Sequence, residues 1–254
     1  MNQFDRKKAS LRSYDRTEML IMPKRNDAAI FTTVHIHSPH LYEILKEKGL
    51  RFFPTLLYAC LKTVEAHPVM RRFVLGQKVY DHKKIWISTV IKKDKQDENT
   101  NHFVKFELKP GMSAHEVQDL LDELIHQTRN DKIHKTDKLM KILSHLPAFI
   151  FTMTIKIAAW LDRMDLLPNA IISSDPLHTG LVIANLGSIQ GQSVYHHLFN
   201  WGTCSCVITV GELTKEGDVE ITFSIDERIA EGVAFFRALT YFKSILEDPH
   251  AIDD

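Results

Sequence analysis

From Ala29 to Ile36 the chain alternates, with Ile30, Thr32, Val34 and Ile36 on one side, which predicts a half-buried strand. Ser38 and Pro39 then offer an N-cap and a first-turn proline for a short helix over Leu41, Ile44 and Leu45. Pro54 opens a second helix with Leu57, Leu61 and Val64 on one face, and His67-Pro68 ends it because a residue before proline disfavours the helical region. Phe73 to Leu75 and Lys78 to Asp81 flank Gly76-Gln77 as a hairpin, and Ile85 to Ile91 is a strongly apolar strand. Lys92 to Asn101 is a solvated loop, followed by a strand from His102 to Leu108.

Ser113 to Glu116 is a capping box, and Val117, Leu120, Leu121, Leu124 and Ile125 follow at the spacing of an amphipathic helix. Residues 137 to 167 are helical in pattern, with a break at Pro147 and an end at Pro168. Strands return at Gly180 to Ala184, Cys204 to Leu213 and Asp218 to Ile225; a helix from about Gly232 to Leu246 closes the chain. Strands and helices mix from end to end without a repeat or a low-complexity linker, so a single α/β domain is expected.

Composition adds exclusions. The 254 residues carry 32 Lys+Arg against 32 Asp+Glu and are 44% hydrophobic, which rules out disorder and removes any bulk electrostatic case for nucleic acid or an anionic membrane. The charged N-terminal segment has no stretch of signal-peptide character, so the expected location is the cytoplasm. The apolar stretch from Ile142 to Ile155 is shorter than the roughly 18 residues of a membrane span and reads as a buried or interface helix. Cys60, Cys204 and Cys206 make no disulfide framework; on one strand the last two would share a face, as buried structural thiols in preference to a metal or redox pair. Dinucleotide, P-loop, nucleophile-elbow and zincin motifs are absent from the sequence.

The run from Phe223 to Gly232, a strand leading through a turn into a helix, resembles the D-H-R-x-x-D-G signature of the 2-oxo acid dehydrogenase acyltransferase core, whose fold chloramphenicol acetyltransferase shares. Leu181 to Gly187 resembles that family's T-I-S-N-L-G strand, and Phe53 to Pro68 its early F-Y-P helix ending in A-H-P. The resemblance covers roughly residues 25 to 247. It divides the chain into an N-terminal extension (1–24), an acyltransferase-like domain (25–247) with a mixed β-sheet and flanking helices, and a tail (248–254).

The resemblance implies acyl transfer between a coenzyme A thioester and a thiol or hydroxyl acceptor, with a histidine as general base and a Ser or Thr steadying the oxyanion. It also implies a homotrimer with sites between subunits, for which the apolar helix Pro147 to Leu167 offers a surface. The acceptor would be a small molecule or a lipoyl group borne by another chain. Here the histidine position is Glu227, the position of the family's aspartate is Glu231, and the oxyanion position is Ala184, whereas Asp226, Arg228 and Gly232 are kept. Those three are expected to hold the turn, through an Asp/Arg salt bridge and a backbone position that needs glycine.

An ordinary glutamate at about 4.3 is a poor base toward a thiol at about 8.5, so burial or its acidic neighbours would have to raise it. His196 and His197 lie between the two family strands and are candidates for a surrogate base or an acyl contact, or else an exposed or capping pair. Asp226, Glu227 and Glu231 could instead gather around a divalent cation or an amine, or simply favour a solvated helix start. His35 and His37 share a strand face but lack a third ligand at motif spacing, and no metal is expected. The alternative to an altered enzyme is a catalytically inactive trimeric scaffold or acyl/coenzyme A-binding protein.

Overall fold

A computed structural model describes residues 5–10, 13–92, 101–130, 145 and 147–252. In chain order the elements are β1 (Arg6–Lys8), α1 (Ser13–Ile21), β2 (Ala29–His37), α2 (Leu41–Glu47), α3 (Phe52–Ala66), β3 (Arg72–Leu75), β4 (Lys78–His82), β5 (Ile85–Lys92), β6 (Asn101–Leu108) and α4 (Ala114–Asn130). There follow α5 (Ala148–Arg163), α6 (Asn169–Ser174), β7 (Leu181–Asn185), β8 (Cys206–Val210), β9 (Asp218–Asp226) and α7 (Gly232–Glu247). The expected loop at 92–101 and the helical pattern at 137–146 fall almost wholly outside the described residues.

Six strands make a mixed sheet in the order β2-β9-β8-β7-β5-β6, with β5, β7 and β8 parallel and the other pairs antiparallel. A second, three-stranded sheet has the order β1-β4-β3. Its hairpin turns on Gly76 and Gln77, both at positive φ (55° and 63°), the backbone that a two-residue turn between right-twisted strands demands.

Helix α3 is the centre of the core. Ten of its fifteen residues are buried, and it packs between α4 and α7 against the inner sheet face. That face is built from alternate strand residues, among them Val219, Ile221, Phe223 and Ile225 of β9 and Ile208 and Val210 of β8, all buried. The other face is polar where it meets a chain segment that has no ladder of its own. The Val194 amide donates to Thr209 Oγ1 at 2.8 Å, the Thr222 hydroxyl donates to Val194 O at 2.8 Å, and the His196 amide donates to Ser224 Oγ at 3.2 Å. Hydroxyls on that face of β8 and β9 thus hold residues 194–196 against the sheet.

The capping box forms as its spacing requires, with the Ser113 amide on Glu116 Oε2 at 2.8 Å and the Glu116 amide on Ser113 Oγ at 3.2 Å. Other starts differ from expectation. Helix α2 begins two residues beyond Pro39, after His40 in the left-handed region at φ 63°, and α3 begins at Phe52, before Pro54. Pro168 does not end the preceding helix, which stops five residues earlier at Arg163; it occupies the N-cap of the short α6 instead. The N-terminal segment, for which no element was expected, adds β1 to the edge of β4 and places Met19 in the core.

The cysteines are buried but do not share a face. The strand starts only at Cys206, which enters the main core, while Cys204 packs with Val182, Leu198 and Val207 on the opposite side of the sheet. Burial raises both thiols, Cys204 to about 11 and Cys206 well above its usual value, and the same desolvation raises Cys60.

Candidate active site

The candidate site is the turn at the end of β9. Asp226 is fully buried, and Arg228 grips it with Nε on Oδ1 and Nη2 on Oδ2, both at 2.7 Å. The Arg228 amide closes on the same Asp226 Oδ1 at 3.2 Å, and Arg228 Nη1 donates to Met22 O at 2.7 Å. Two backbone bonds fix the turn further, Asp226 N to Ser205 O at 2.9 Å and Glu227 N to Ala28 O at 3.0 Å. The expected Asp/Arg salt bridge is therefore present.

A second arginine completes the cluster. Arg25 Nε lies 3.7 Å from Asp226 Oδ2, and its other nitrogens donate to the carbonyls of Phe199, Trp201, Val74 and Gly202. Desolvation lowers its pKa, against the pull of Asp226. This residue joins the loop at 199–202, the β3 strand end and the site turn, and nothing in its sequence surroundings marks it.

Gly232 does not behave as expected. A Cβ there would meet nothing within 4 Å, and its φ is not in the left-handed region. In this chain a side chain fits at that position.

Glu227 and Glu231 are exposed and line one cavity of about 590 Å³, together with Glu18, Arg72, Arg228 and Val69. Arg72 is engaged by Asp81 at 3.2 Å and Arg228 by Asp226, so both cations of the lining already have carboxylate partners. A second cavity of about 400 Å³ lies beside the same turn and is lined by Arg25, Arg228, Asp162 and Trp201 among others. Arg228 thus reaches both.

His196 and His197 line neither cavity. Their rings stack 4.4 Å apart beside Phe199, and His196 Nδ1 sits 2.8 Å from His197 O. Ala184 is half-buried on β7, in the register row that runs through Thr209 to Thr222. From that row Glu227 is two strands across and five residues along, which at about 4.8 Å per strand and 3.3 Å per residue is a separation of roughly 19 Å. Within one chain, therefore, Glu227 and Ala184 do not converge.

His35 and His37 each face their β9 neighbours, with Nδ1 3.8 Å from Glu220 and 2.6 Å from Asp218, respectively. Among the described residues no group of three or more His, Cys, Asp or Glu is placed to hold a metal ion.

Two buried polar networks were not foreseen. His178 is held through Nδ1 by Asp175 Oδ2 at 2.7 Å and through Nε2 by Asp162 Oδ2 at 3.1 Å, while Trp201 also donates to Asp175 and Arg6 Nη2 reaches Asp162 at 3.5 Å. Burial disfavours the charged ring, but the two carboxylates outweigh it and the pKa lies above the usual value. Nearby, Asp5 accepts from Trp86 and pairs with His82 at 3.1 Å; His82, desolvated, is lowered despite that bond, and Lys105, mostly desolvated against the Trp86 ring, falls to about 8. Asp162 gave a signal, an acid inside an otherwise apolar helix. His178 gave none.

No protein-family model and no curated protein matches the sequence. Solved structures do match. A probable dihydrolipoamide acetyltransferase from Listeria monocytogenes superposes with a TM-score of 0.59 at 15% identity, covering 95% of this chain and 94% of that one. A chloramphenicol acetyltransferase gives 0.58 at 14%, covering 96% and 98%. The dihydrolipoamide acetyltransferase of Azotobacter vinelandii, whose catalytic mechanism has been studied at a serine, a histidine and an asparagine, gives 0.58 at 14%, covering 94% and 88%. The mixed sheet and its flanking helices are thus those of the fold shared by dihydrolipoamide acetyltransferase catalytic cores and chloramphenicol acetyltransferase.

Proposed function

We propose that this chain is an acyltransferase-fold protein that binds an acyl-coenzyme A and transfers its acyl group to a thiol or hydroxyl acceptor, with Glu227 standing where the family's base stands. The observation that carries the reading is the β9 turn. The Asp226–Arg228 clamp holds Glu227 and Glu231 at the mouth of a cavity of about 590 Å³, and a second cavity of about 400 Å³ meets it at Arg228, room for a donor and an acceptor on two sides.

The separation of roughly 19 Å between the Glu227 and Ala184 positions supports a homotrimer, in which a neighbour's β7 would meet this chain's turn. Exposed Phe31, Val90, Val194 and Tyr195 on the outer sheet face offer surface for such contact. A lipoyl-bearing acceptor would then come from another chain.

A second reading rests on Ala184. Without a hydroxyl at that position the oxyanion lacks its expected donor, which costs about 10²-fold or more in an acyl transfer, so a trimeric scaffold that binds acyl-coenzyme A without turning it over is the alternative. A calorimetric and thermal-shift screen against coenzyme A and a panel of acyl thioesters tests the common premise, since a ligand of the native state raises the melting temperature. Binding of a thioester, with acylation of a supplied hydroxyl or dithiol acceptor and matching release of coenzyme A, supports the enzyme; binding without transfer to any such acceptor supports the scaffold. No binding by any thioester removes both.

A further inference from the structure

Among the described residues, helix α5 is the most exposed apolar element. Of its sixteen residues Asp162 alone is buried, and Phe149, Met153 and Trp160 are 69%, 58% and 57% exposed. At 3.6 residues per turn, Phe149, Ile150, Met153, Ile157, Trp160 and the C-cap Met164 fall within one sector of about 100°. Asp162 lies on the opposite side, turned into the protein toward His178 and Arg6, so the stripe faces outward at the C-terminal end; nearer the N-terminus Ile155, on Asp162's side, is itself 46% exposed.

The charges beside the stripe have one sign. Lys156 and Arg163 border one of its edges and are exposed, whereas the acids of this stretch are turned away, Asp162 buried and Asp165 beside Arg6. The zero net charge of the whole chain conceals this local excess. A second copy packed on the stripe would bring the same cations to the same face, with no exposed acid of the helix to meet them.

We propose that the outward stripe of α5 is a lipid-docking surface, on which the helix lies in the headgroup region of an anionic membrane with its apolar side chains inserted and Lys156 and Arg163 on the lipid phosphates. An apolar face with aromatic residues bordered by basic side chains is the arrangement that lies in an interface. At about 24 Å the helix is too short to span a bilayer, and among the described residues no helix is long and apolar enough to cross one.

The test is vesicle flotation of the full chain with phosphatidylcholine alone or mixed with phosphatidylglycerol. Flotation with the anionic vesicles is expected, weaker by roughly thirty-fold on neutral ones or in Lys156→Gln/Arg163→Gln, the factor that two basic side chains near an anionic surface supply. Phe149→Ser/Met153→Ser/Trp160→Ser should abolish it. Trp86 and Trp201 donate their indole N–H groups to buried carboxylates, so a blue shift of emission on vesicles should vanish in Trp160→Phe while flotation persists. The proposal is overturned by no flotation, by equal partition on both vesicles, or by a serine triple variant whose oligomeric state changes in light scattering while vesicle partition does not. Should that variant fail to fold, the charge-neutralised pair, confined to exposed side chains, decides alone.

Discussion

Arg228 and Asp226 meet through two parallel hydrogen bonds of 2.7 Å, with less than a twentieth of either side chain open to solvent. Truncating one partner of such a pair leaves the other buried and uncompensated, a cost of about 3–5 kcal/mol. Here Asp226 answers two guanidinium groups, since Arg25 also approaches it. Asp226→Ala should therefore lower the melting temperature by about 6–20 °C, and Arg25→Met in the same background should recover part of the loss. Calorimetric melting of the three proteins checks this.

The pH dependence of stability should show His178. Its folded pKa is raised, so its contribution is fully present below the unfolded value of about 6.5 and is lost as pH climbs through the folded value. His178→Gln should cost about 3 kcal/mol at about pH 6, the worth of two hydrogen bonds to charged groups, and the difference from the native protein should shrink in more alkaline buffer. His82 and Lys105, both lowered, oppose this trend in the single protein but are common to the pair and cancel. A difference that grows with pH would sink the assignment of a charged ring.

Ser113→Ala removes the hydroxyl half of the capping box, leaving the Glu116 amide without its acceptor. The expected loss is about 1 kcal/mol. Urea melts should show a lower midpoint with an unchanged slope.

Acetyl transfer to chloramphenicol or dihydrolipoamide should be negligible in the native chain, and Glu227→His with Glu231→Asp and Ala184→Ser should restore it if the cavities hold coenzyme A. Turnover near about 10 s⁻¹ by the unaltered protein would mean that another base has taken over and would end the scaffold reading. A triple variant that folds and binds no thioester would remove coenzyme A as the ligand.

Periodicity reached far into this fold, because β2, β5, β9 and α4 each owe their burial to their own alternation or helical stripe. Starts were harder. His40 takes a left-handed conformation that no side chain advertises, so the α2 boundary moved two residues. The Asp226–Arg228 clamp was legible since both partners lie two residues apart in one motif, but Arg25 approaches it from 201 positions away in sequence through tertiary contacts that no local pattern encodes. Gly232 shows the converse hazard. A glycine kept in a familiar motif suggested a backbone need, and the space around it is open.

The pairing of β2 with β9 sets a timetable for synthesis. The register joins His37 to Asp218, 181 positions later, and among the described residues β2 has no other neighbour in the sheet. At ordinary ribosomal speeds of about 5–20 residues per second the early strand waits roughly 10–40 s for its partner. During that interval its apolar side must be sheltered by α3 or by a chaperone, and the turn bearing Glu227 takes shape only after nearly all of the chain has been made.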